Sequence, residues 1–175
     1  MAVVPLIELG NPLLRQPATP FADPTSPEVA RILNDMRDTL ADMRQRIGYG
    51  RGIAAPQIGV LKRLILIDTP DTNLVLVNPR FERWSREEDE RYESCFSFPG
   101  IWGLVQRPLG VTVVAYTLAG EEQRIEASGS LARIIQHEMD HLDGFVWLDR
   151  GPDLHSLCTT QEYEKRYISR ERESH

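Results

Sequence analysis

A short run near the end of the chain holds two histidines with an acid between them. His137, Glu138 and His141 belong to the sequence H-E-M-D-H. On a helix, residues i and i+4 lie on the same face, so both imidazoles can reach one metal ion. Glu138 lies beside that face, where its carboxylate can take a proton from a metal-bound water. The pattern predicts a metal site with a general acid/base.

The helix that carries this motif is predicted to be buried. It begins near Gly129, with Ser128 or Ser130 as its cap, and ends near Gly144. Most of its remaining periphery is apolar, which is typical of a helix inside a core. Buried polar side chains without partners would cost roughly 2–7 kcal/mol per group. A metal ion supplies such a partner, so the burial favours metal binding.

A third ligand is needed, because a catalytic metal site usually takes three protein ligands and leaves a position for water. A thiolate is a strong metal ligand, although a lone cytoplasmic cysteine is more often a small core residue. His155 lies in the polar tail, and we expect it to be solvated, like His175. The candidates for the third ligand are Cys95, Asp143, His155 and the acidic residues before Glu93.

Another segment with a chemical role is the glycine-rich run GRGIAAPQ, residues 50–57. Its glycine spacing is similar to a dinucleotide-binding fingerprint, but that motif follows a strand and opens a helix. Here a helix precedes the run, and Pro56 stands where a new helix would begin. We expect instead a loop that exposes its backbone and ends in a buried Gln57. An amide there can donate a hydrogen bond to an oxyanion.

The remaining elements must position these segments. A first helix is predicted over Pro27–Ile47, with Ser26 as its cap and Gly48 as its stop. Apolar and β-branched runs predict strands over residues 64–68, 74–78, 111–116 and 123–126. The charged stretch 83–93 is predicted as a solvated loop or an edge strand. Residues 1–25 are predicted as an extended arm that lies on the domain, and residues 151–175 as a polar tail.

The composition fits a single catalytic domain, which we assign to residues 1–150. The 175 residues are 41% hydrophobic and 26% charged, as in an ordinary globular protein. A formal charge of −6 argues against nucleic acid as the main partner. No apolar run is long enough to cross a bilayer, and the start lacks a signal-peptide layout. We expect a cytoplasmic enzyme; the sequence does not decide between monomer and dimer.

Three segments in order resemble the peptide deformylase family. That family carries GxGxAAxQ, then EGCxS, then QHExDH, and residues 50–57, 93–97 and 136–141 match these motifs. The runs GNPLLR at residues 10–15 and VQRP at residues 105–108 resemble two further family elements. The resemblance covers about residues 5–150. Each motif alone is weak, but three in this order are specific.

The resemblance implies a hydrolase that removes the formyl group from the amino end of nascent polypeptides. The fold class we predict is α+β, with small antiparallel or mixed sheets packed around the buried helix that carries H-E-x-x-H. Glu138 would be the general acid/base, and the Gln57 amide and the Phe96 N–H would be oxyanion donors. The family metal is usually ferrous iron, which zinc, nickel or cobalt can replace. The implied metal ligands are Cys95, His137 and His141.

The implied partner is an N-formylated peptide, with transient contact to the ribosome. The backbone of Gly52 and Ile53 would line the peptide like an added strand. Glu93 would anchor the cysteine segment and pair with an arginine. Trp102, predicted in a loop near the site, would form an aromatic wall or simply pack. The implied substrate-binding residues are Gly50, Gly52, Ile53, Glu93, Trp102, Arg133 and Ile134.

The sequence departs from the family pattern at a few positions. Ser94 replaces a glycine before the cysteine, which is harmless if its φ is negative. Arg51 replaces an aliphatic residue. Arg133 lies where the methionine pocket is expected, and we interpret it as pointing to solvent with its stem packed. If Arg51 and Arg133 both faced the cleft, the preference for the first residue would shift.

Two other functions compete with this prediction. A zinc endopeptidase shares the H-E-x-x-H motif and would take Asp143 or His155 as its third ligand. That hypothesis leaves Cys95 and the glycine-rich run unexplained. A binding module that keeps the fold without catalysis is the other alternative. The intact Glu138, Gln57 and ligand residues argue against it.

Overall fold

The structure is a computed structural model that describes residues 3–168, so the prediction for His175 lies outside the described residues. The helices are α1 (Pro27–Ile47), α2 (Gly129–Leu142) and α3 (Thr160–Tyr163), the last continued by a wider helical turn over Glu164–Ile168. In chain order, the strands are β1 (Gly52–Ala54), β2 (Leu64–Thr69), β3 (Thr72–Trp84), β4 (Glu88–Cys95), β5 (Phe98–Pro108), β6 (Gly110–Tyr116), β7 (Glu122–Ser128) and β8 (Cys158–Thr159).

Helix α1 has the predicted limits. Pro27 fills its first turn, and Gly48 ends it in the left-handed conformation at φ 80°, with its N–H bonded to the Arg44 carbonyl. Ser26 is the N-cap residue, but its side chain makes no capping hydrogen bond. The apolar stripe packs on the sheet that contains β1 and β2. Its buried residues are Val29, Ile32, Leu33, Met36 and Leu40.

The strands form two antiparallel sheets. The larger has the order β1-β2-β3-β6-β7, and the smaller has the order β4-β5-β8. The four predicted strands are confirmed, although β3 runs well beyond residue 78. Of the charged stretch, residues 88–93 lie in an edge strand, β4, which pairs with β5 alone among the described strands, and residues 83–84 end β3. Trp102 lies in strand β5 and not in a loop, so that prediction was wrong.

Helix α2 is the centre of the molecule. It contacts β1, β2, β6 and β7 of the larger sheet and β5 of the smaller one. Its apolar side chains Ile135, Met139 and Leu142 are fully buried with the inner faces of those strands. The fold is therefore α+β, with two sheets packed around one buried helix, as predicted. Within residues 3–168, no helix has the length and apolar character needed to span a membrane.

Residues 3–25 cross the segments that matter for the site. The Ile7 N–H bonds to the Gln57 carbonyl at 2.9 Å, and the Leu9 N–H bonds to the Ser97 carbonyl at 2.9 Å. Further along, Asn78 adopts a positive φ of 51° and bonds through its side chain to both main-chain groups of Phe21. Main-chain hydrogen bonds of residues 3–25 therefore link the segment that carries Gln57 to the segment that carries Cys95.

Candidate metal centre

Strand β4 and helix α2 bring a thiol and two imidazoles together. Cys95 ends β4, while His137 and His141 lie one turn apart on α2. One ligand atom from each lies within 4.8 Å of the other two, and the Cys95 Sγ is 3.2 Å from the His141 Nε2. Metal–ligand bonds of about 2.0–2.3 Å leave neighbouring donors about 3–4 Å apart. The three residues therefore fit around one ion.

The other candidates for the third ligand lie elsewhere. Asp143 is paired with Arg63 at 2.7 Å, and His155 is exposed on the C-terminal segment. Both described cysteines are free thiols, so Cys95 is not locked to Cys158. Cys95 is thus the residue that completes the histidine pair.

The chemistry of the donors fits a transition-metal ion. One thiolate and two imidazoles suit iron, zinc, cobalt or nickel. Burial lowers the pKa of His141 well below its usual value, which keeps the imidazole in the neutral, metal-binding form. The Glu138 Oε2 is buried without a hydrogen-bond partner. A buried polar atom without a protein partner indicates that the site is built for a further group.

Glu138 lies against the backbone of β1. A Cβ added at Gly52 would be 2.8 Å from the Glu138 Oε1, so a larger residue at this position would displace the carboxylate. Burial raises the pKa of Glu138 to about 7. A carboxyl group with that pKa can both accept and return a proton near neutral pH.

Gln57 is held with its amide nitrogen toward the cysteine. Its Oε1 accepts the Ala54 N–H at 2.9 Å, which fixes the orientation of the amide. Its Nε2 then lies 3.5 Å from the Cys95 Sγ and 3.4 Å from the Ser97 Oγ. The side chain is fully buried, as the sequence predicted. A donor fixed in this way can face a developing negative charge without reorganising.

The segment on either side of Cys95 packs closely against the glycine-rich run. Gly50 has φ 146°, and a Cβ there would be 2.4 Å from the Phe96 ring. The Phe96 side chain therefore needs a glycine at this position. Among residues 3–168, Asn78 is the one non-glycine residue with a positive φ, so Ser94 is accommodated without strain.

Glu93 is the hub of a buried ion-pair network. Arg107 donates to both of its oxygens, at 2.6 and 2.9 Å, and the His137 Nδ1 lies 2.9 Å from the Oε2. The predicted pairing of Glu93 with an arginine is confirmed. Burial would raise the pKa of Glu93, but hydrogen bonds from His137 and Arg107 outweigh it and hold the pKa below its usual value. The ionised Glu93 orients the His137 ring so that its Nε2 faces the metal position.

Arg133 joins the same network, so the prediction that it points to solvent was wrong. Its guanidinium is buried and donates to the Glu93 Oε1 at 2.6 Å and to the Val105 carbonyl at 2.9 Å. It also bonds to Asp89 through the main-chain and side-chain oxygens. A buried ionised carboxylate attracts a second cation, which explains this orientation. Arg51 is exposed, and the two arginines do not form a shared charged wall.

The sequence predicted an arginine partner for Glu93 but did not identify Arg107, nor the roles of Asp140 and Arg150 behind it. Arg107 and Asp140 are both buried and lie 2.9 Å apart, and Arg150 closes the network on the far side of Asp140. In the second half of β5, Arg107 follows Gly103 and Val105 on the side of the strand that is buried. A charged residue on such a face needs a buried partner.

We expect Arg107→Met to destabilise the fold by about 3–5 kcal/mol, because it leaves Glu93 and Asp140 buried without their shared cation. Chemical unfolding measures the change in the free energy of unfolding. The matched control is Arg124→Met, whose ion pairs are exposed and whose loss should cost less than about 1 kcal/mol. Equal losses in the two variants would contradict the role given to the network.

A thiol and two histidines at a buried helix, with a carboxylate and an amide beside them, define the site of a metal-dependent hydrolase. Comparison with known proteins narrows this class. The family model described as polypeptide deformylase matches residues 3–156. The chain belongs to the polypeptide deformylase family.

Individual relatives agree with this assignment. The peptide deformylase of Desulforudis audaxviator is 40% identical over 156 residues, covering 89% of this chain and 97% of that protein. That of Desulfitobacterium hafniense is 42% identical over 151 residues, covering 86% and 96%. The Synechococcus elongatus peptide deformylase, solved with actinonin, superposes with a TM-score of 0.80 at 38% identity, covering 87% of this chain and 81% of that one.

Proposed function

We propose that this chain removes the formyl group from the amino end of newly made polypeptides and releases formate. Its membership of the deformylase family supports this activity. The observation that carries the proposal is the meeting of Cys95, His137 and His141, whose ligand atoms lie within 4.8 Å of one another beside Glu138. The endopeptidase alternative is not favoured, because it gives no role to Cys95 or to Gln57.

The metal ligands in this proposal are Cys95, His137 and His141. When bound, a divalent ion there would polarise the formyl carbonyl and lower the pKa of a water molecule. We propose ferrous iron as the native ion, as the family resemblance implies, with zinc, nickel or cobalt able to replace it. Glu93 and Arg133 act as positioning residues, since their contacts with protein atoms hold His137 and β4 in place.

Glu138 moves the proton in this mechanism. Its unpartnered Oε2 accepts a proton from the attacking water, which then adds to the formyl carbon. The Gln57 amide and the Phe96 N–H donate hydrogen bonds to the formyl oxygen as negative charge develops on it. Glu138 then gives the proton to the amine nitrogen as the carbon–nitrogen bond breaks. The products are formate and a free amino terminus.

The peptide would lie between two sheet edges. Strand β1 is the outermost strand of the larger sheet, and β4 is the outermost strand of the smaller one. A peptide main chain can pair with the edge at residues 50–53, because Gly50, Gly52 and Ile53 present backbone groups there. Ile134 and Trp102 would contact side chains of the substrate. This arrangement would place the formyl group beside Glu138.

The setting of the reaction follows from its substrate. Formylated chains emerge from the ribosome, so we propose a cytoplasmic enzyme that contacts the ribosome transiently. Residues 1–150 would form the one catalytic domain, with residues 1–25 as an arm across it and residues 151–175 as a tail. The hydrogen bonds of Ile7 and Leu9 to the site segments support this organisation.

The proposed activity can be tested on protein purified without air. We expect one divalent ion per chain and formate release from formyl-Met-Ala, measured with a coupled formate assay. The same protein should leave unformylated casein intact. Cleavage of casein without formate release from the dipeptide would instead favour the endopeptidase.

A further inference from the structure

The segment between α1 and β1 is rich in glycine and needs an anchor outside itself. Gly48, Gly50 and Gly52 stand at every second position from the end of α1 to the start of β1. Gly48 and Gly50 have φ values of 80° and 146°, which glycine adopts without steric cost. Glycine also gives a loosened segment more conformational freedom than other residues. Contacts from neighbouring elements must therefore hold residues 48–52 in one shape.

One arginine in the last turn of α1 makes such contacts. The Arg44 Nε donates to the Gly50 carbonyl at 2.8 Å. Its two terminal nitrogens donate to the carboxylate and to the main-chain oxygen of Asp68 in β2. The Asp68 N–H donates in turn to the Arg51 carbonyl at 2.9 Å. The planar guanidinium thus joins α1, β2 and the glycine segment, and we call Arg44 and Asp68 the clamp.

Asp68 is a fixed partner for the guanidinium. The Asn73 Nδ2 donates to its Oδ1 at 2.9 Å, while Arg44 bonds to the Oδ2. The hydrogen bond from Arg44 holds the pKa of Asp68 below its usual value, so the carboxylate is ionised at neutral pH. Asp68 and Asn73 are paired across β2 and β3. The clamp therefore ties the glycine segment to the larger sheet.

The clamped segment lies against two parts of the proposed reaction site. A Cβ at Gly50 would be 2.4 Å from the Phe96 ring, and a Cβ at Gly52 would be 2.8 Å from the Glu138 Oε1. Phe96 carries a proposed oxyanion donor, and Glu138 is the proposed proton carrier. The backbone of residues 50–52 is thus in direct contact with both, and its position affects how a peptide meets them.

We propose that Arg44 is a positioning residue for substrate binding, because it fixes the backbone of residues 50–52 and aligns the edge of β1 before the peptide arrives. This inference rests on the deformylation proposed above. Without the clamp, the glycine segment samples other conformations, and only a fraction of the molecules has an aligned edge. The apparent affinity for the peptide falls by that fraction. A bound peptide aligns the edge again, so the chemical step keeps its rate.

The test compares KM and kcat for formyl-Met-Ala-Ser in the wild type and in Arg44→Met. We expect KM to rise about tenfold, as for an edge that is aligned about a tenth of the time, while kcat stays within about twofold. Loss of folded protein alone would lower the apparent kcat and leave KM unchanged. The matched control is Arg46→Met, which removes another arginine of the last turn, paired with Asp42 at 3.5 Å. It should keep the wild-type KM.

Asp68→Asn tests the other half of the clamp. Asparagine keeps the size of the side chain but loses the charge that attracts the guanidinium, so KM should rise about threefold. The double variant should have the KM of Arg44→Met, because both changes remove one contact. Hydrogen exchange of the free protein gives a readout without substrate. The Asp68 amide should exchange faster in Arg44→Met and at the wild-type rate in Arg46→Met.

An unchanged KM in both Arg44→Met and Asp68→Asn would overturn the proposal, as would an equal rise of KM in Arg46→Met. A lower kcat at constant KM would also overturn it, since that result assigns Arg44 to fold stability alone. Wild-type formate release combined with any of these results removes the role of Arg44 and leaves the proposed function in place. Absence of formate release from the wild type would remove the proposed function and, with it, the role of Arg44 in substrate binding.

Discussion

Glu138→Gln is expected to lower the rate of formate release by about 10²–10⁴-fold while the metal content stays the same. Glutamine keeps the size of the side chain, so it fits beside Gly52, but it cannot accept a proton. The measurements are kcat on formyl-Met-Ala and elemental analysis of the purified variant. Separating rate from metal content is essential, because Glu138 is adjacent to a proposed ligand.

The control for this variant is Glu121→Gln, an exposed glutamate that follows the turn after β6. It should keep the full rate and the full metal content. A Glu138→Gln variant that retains more than about a tenth of the activity would contradict the role of Glu138 as the proton carrier. Loss of metal in that variant would show that Glu138 supports the ion instead.

Cys95→Ala is expected to weaken metal binding by more than about 100-fold and to abolish formate release. Loss of a residue that only supports a ligand costs about 10–100-fold in affinity, so loss of the thiolate itself should cost more. Elemental analysis after dialysis measures the metal that remains. The matched control is Cys158→Ala, since Cys158 is the other free cysteine and lies in β8.

Cys158→Ala should retain its metal and its activity on the dipeptide. Metal loss in both cysteine variants would indicate a nonspecific effect of removing a thiol. Full metal retention in Cys95→Ala would mean that another residue completes the site. Either result would contradict the ligand set derived from the geometry.

Local patterns predicted the elements that carry the site. The limits of α1 follow from Pro27 at its start, an apolar stripe along one face and Gly48 at its end. Each of these signals depends only on residues that are close to it in the sequence. The position of His137 and His141 on one helix face is local in the same way. The ordered motifs then added Cys95 and Gln57, which spacing along the chain alone could not have joined to the histidines.

Long-range partners could not be predicted in this way. The orientation of Arg133 depends on the pairing of β4 with β5, which places Asp89, Glu93 and the Val105 carbonyl within reach of its guanidinium. Nothing next to Arg133 in the chain indicates those neighbours. The position of Arg133 on α2 fits an exposed side chain as well as a buried one. The negative charge of the buried Glu93 holds the guanidinium inside the protein.

The position of Trp102 in a strand was missed for a related reason. Glycine and proline at the start of β5 indicated a turn, whereas pairing with β4 on one side and β8 on the other makes the segment a central strand. The tail provides that second neighbour. Its short strand of two residues leaves no periodic signal in the sequence.

X-ray absorption at the metal edge of the protein purified without air tests the central claim most directly. The account predicts one sulfur ligand at about 2.3 Å together with nitrogen or oxygen ligands at about 2.0–2.2 Å. The sulfur contribution should persist in Cys158→Ala and be absent from any metal that Cys95→Ala retains. A wild-type spectrum with nitrogen and oxygen ligands only would contradict the site formed by Cys95, His137 and His141.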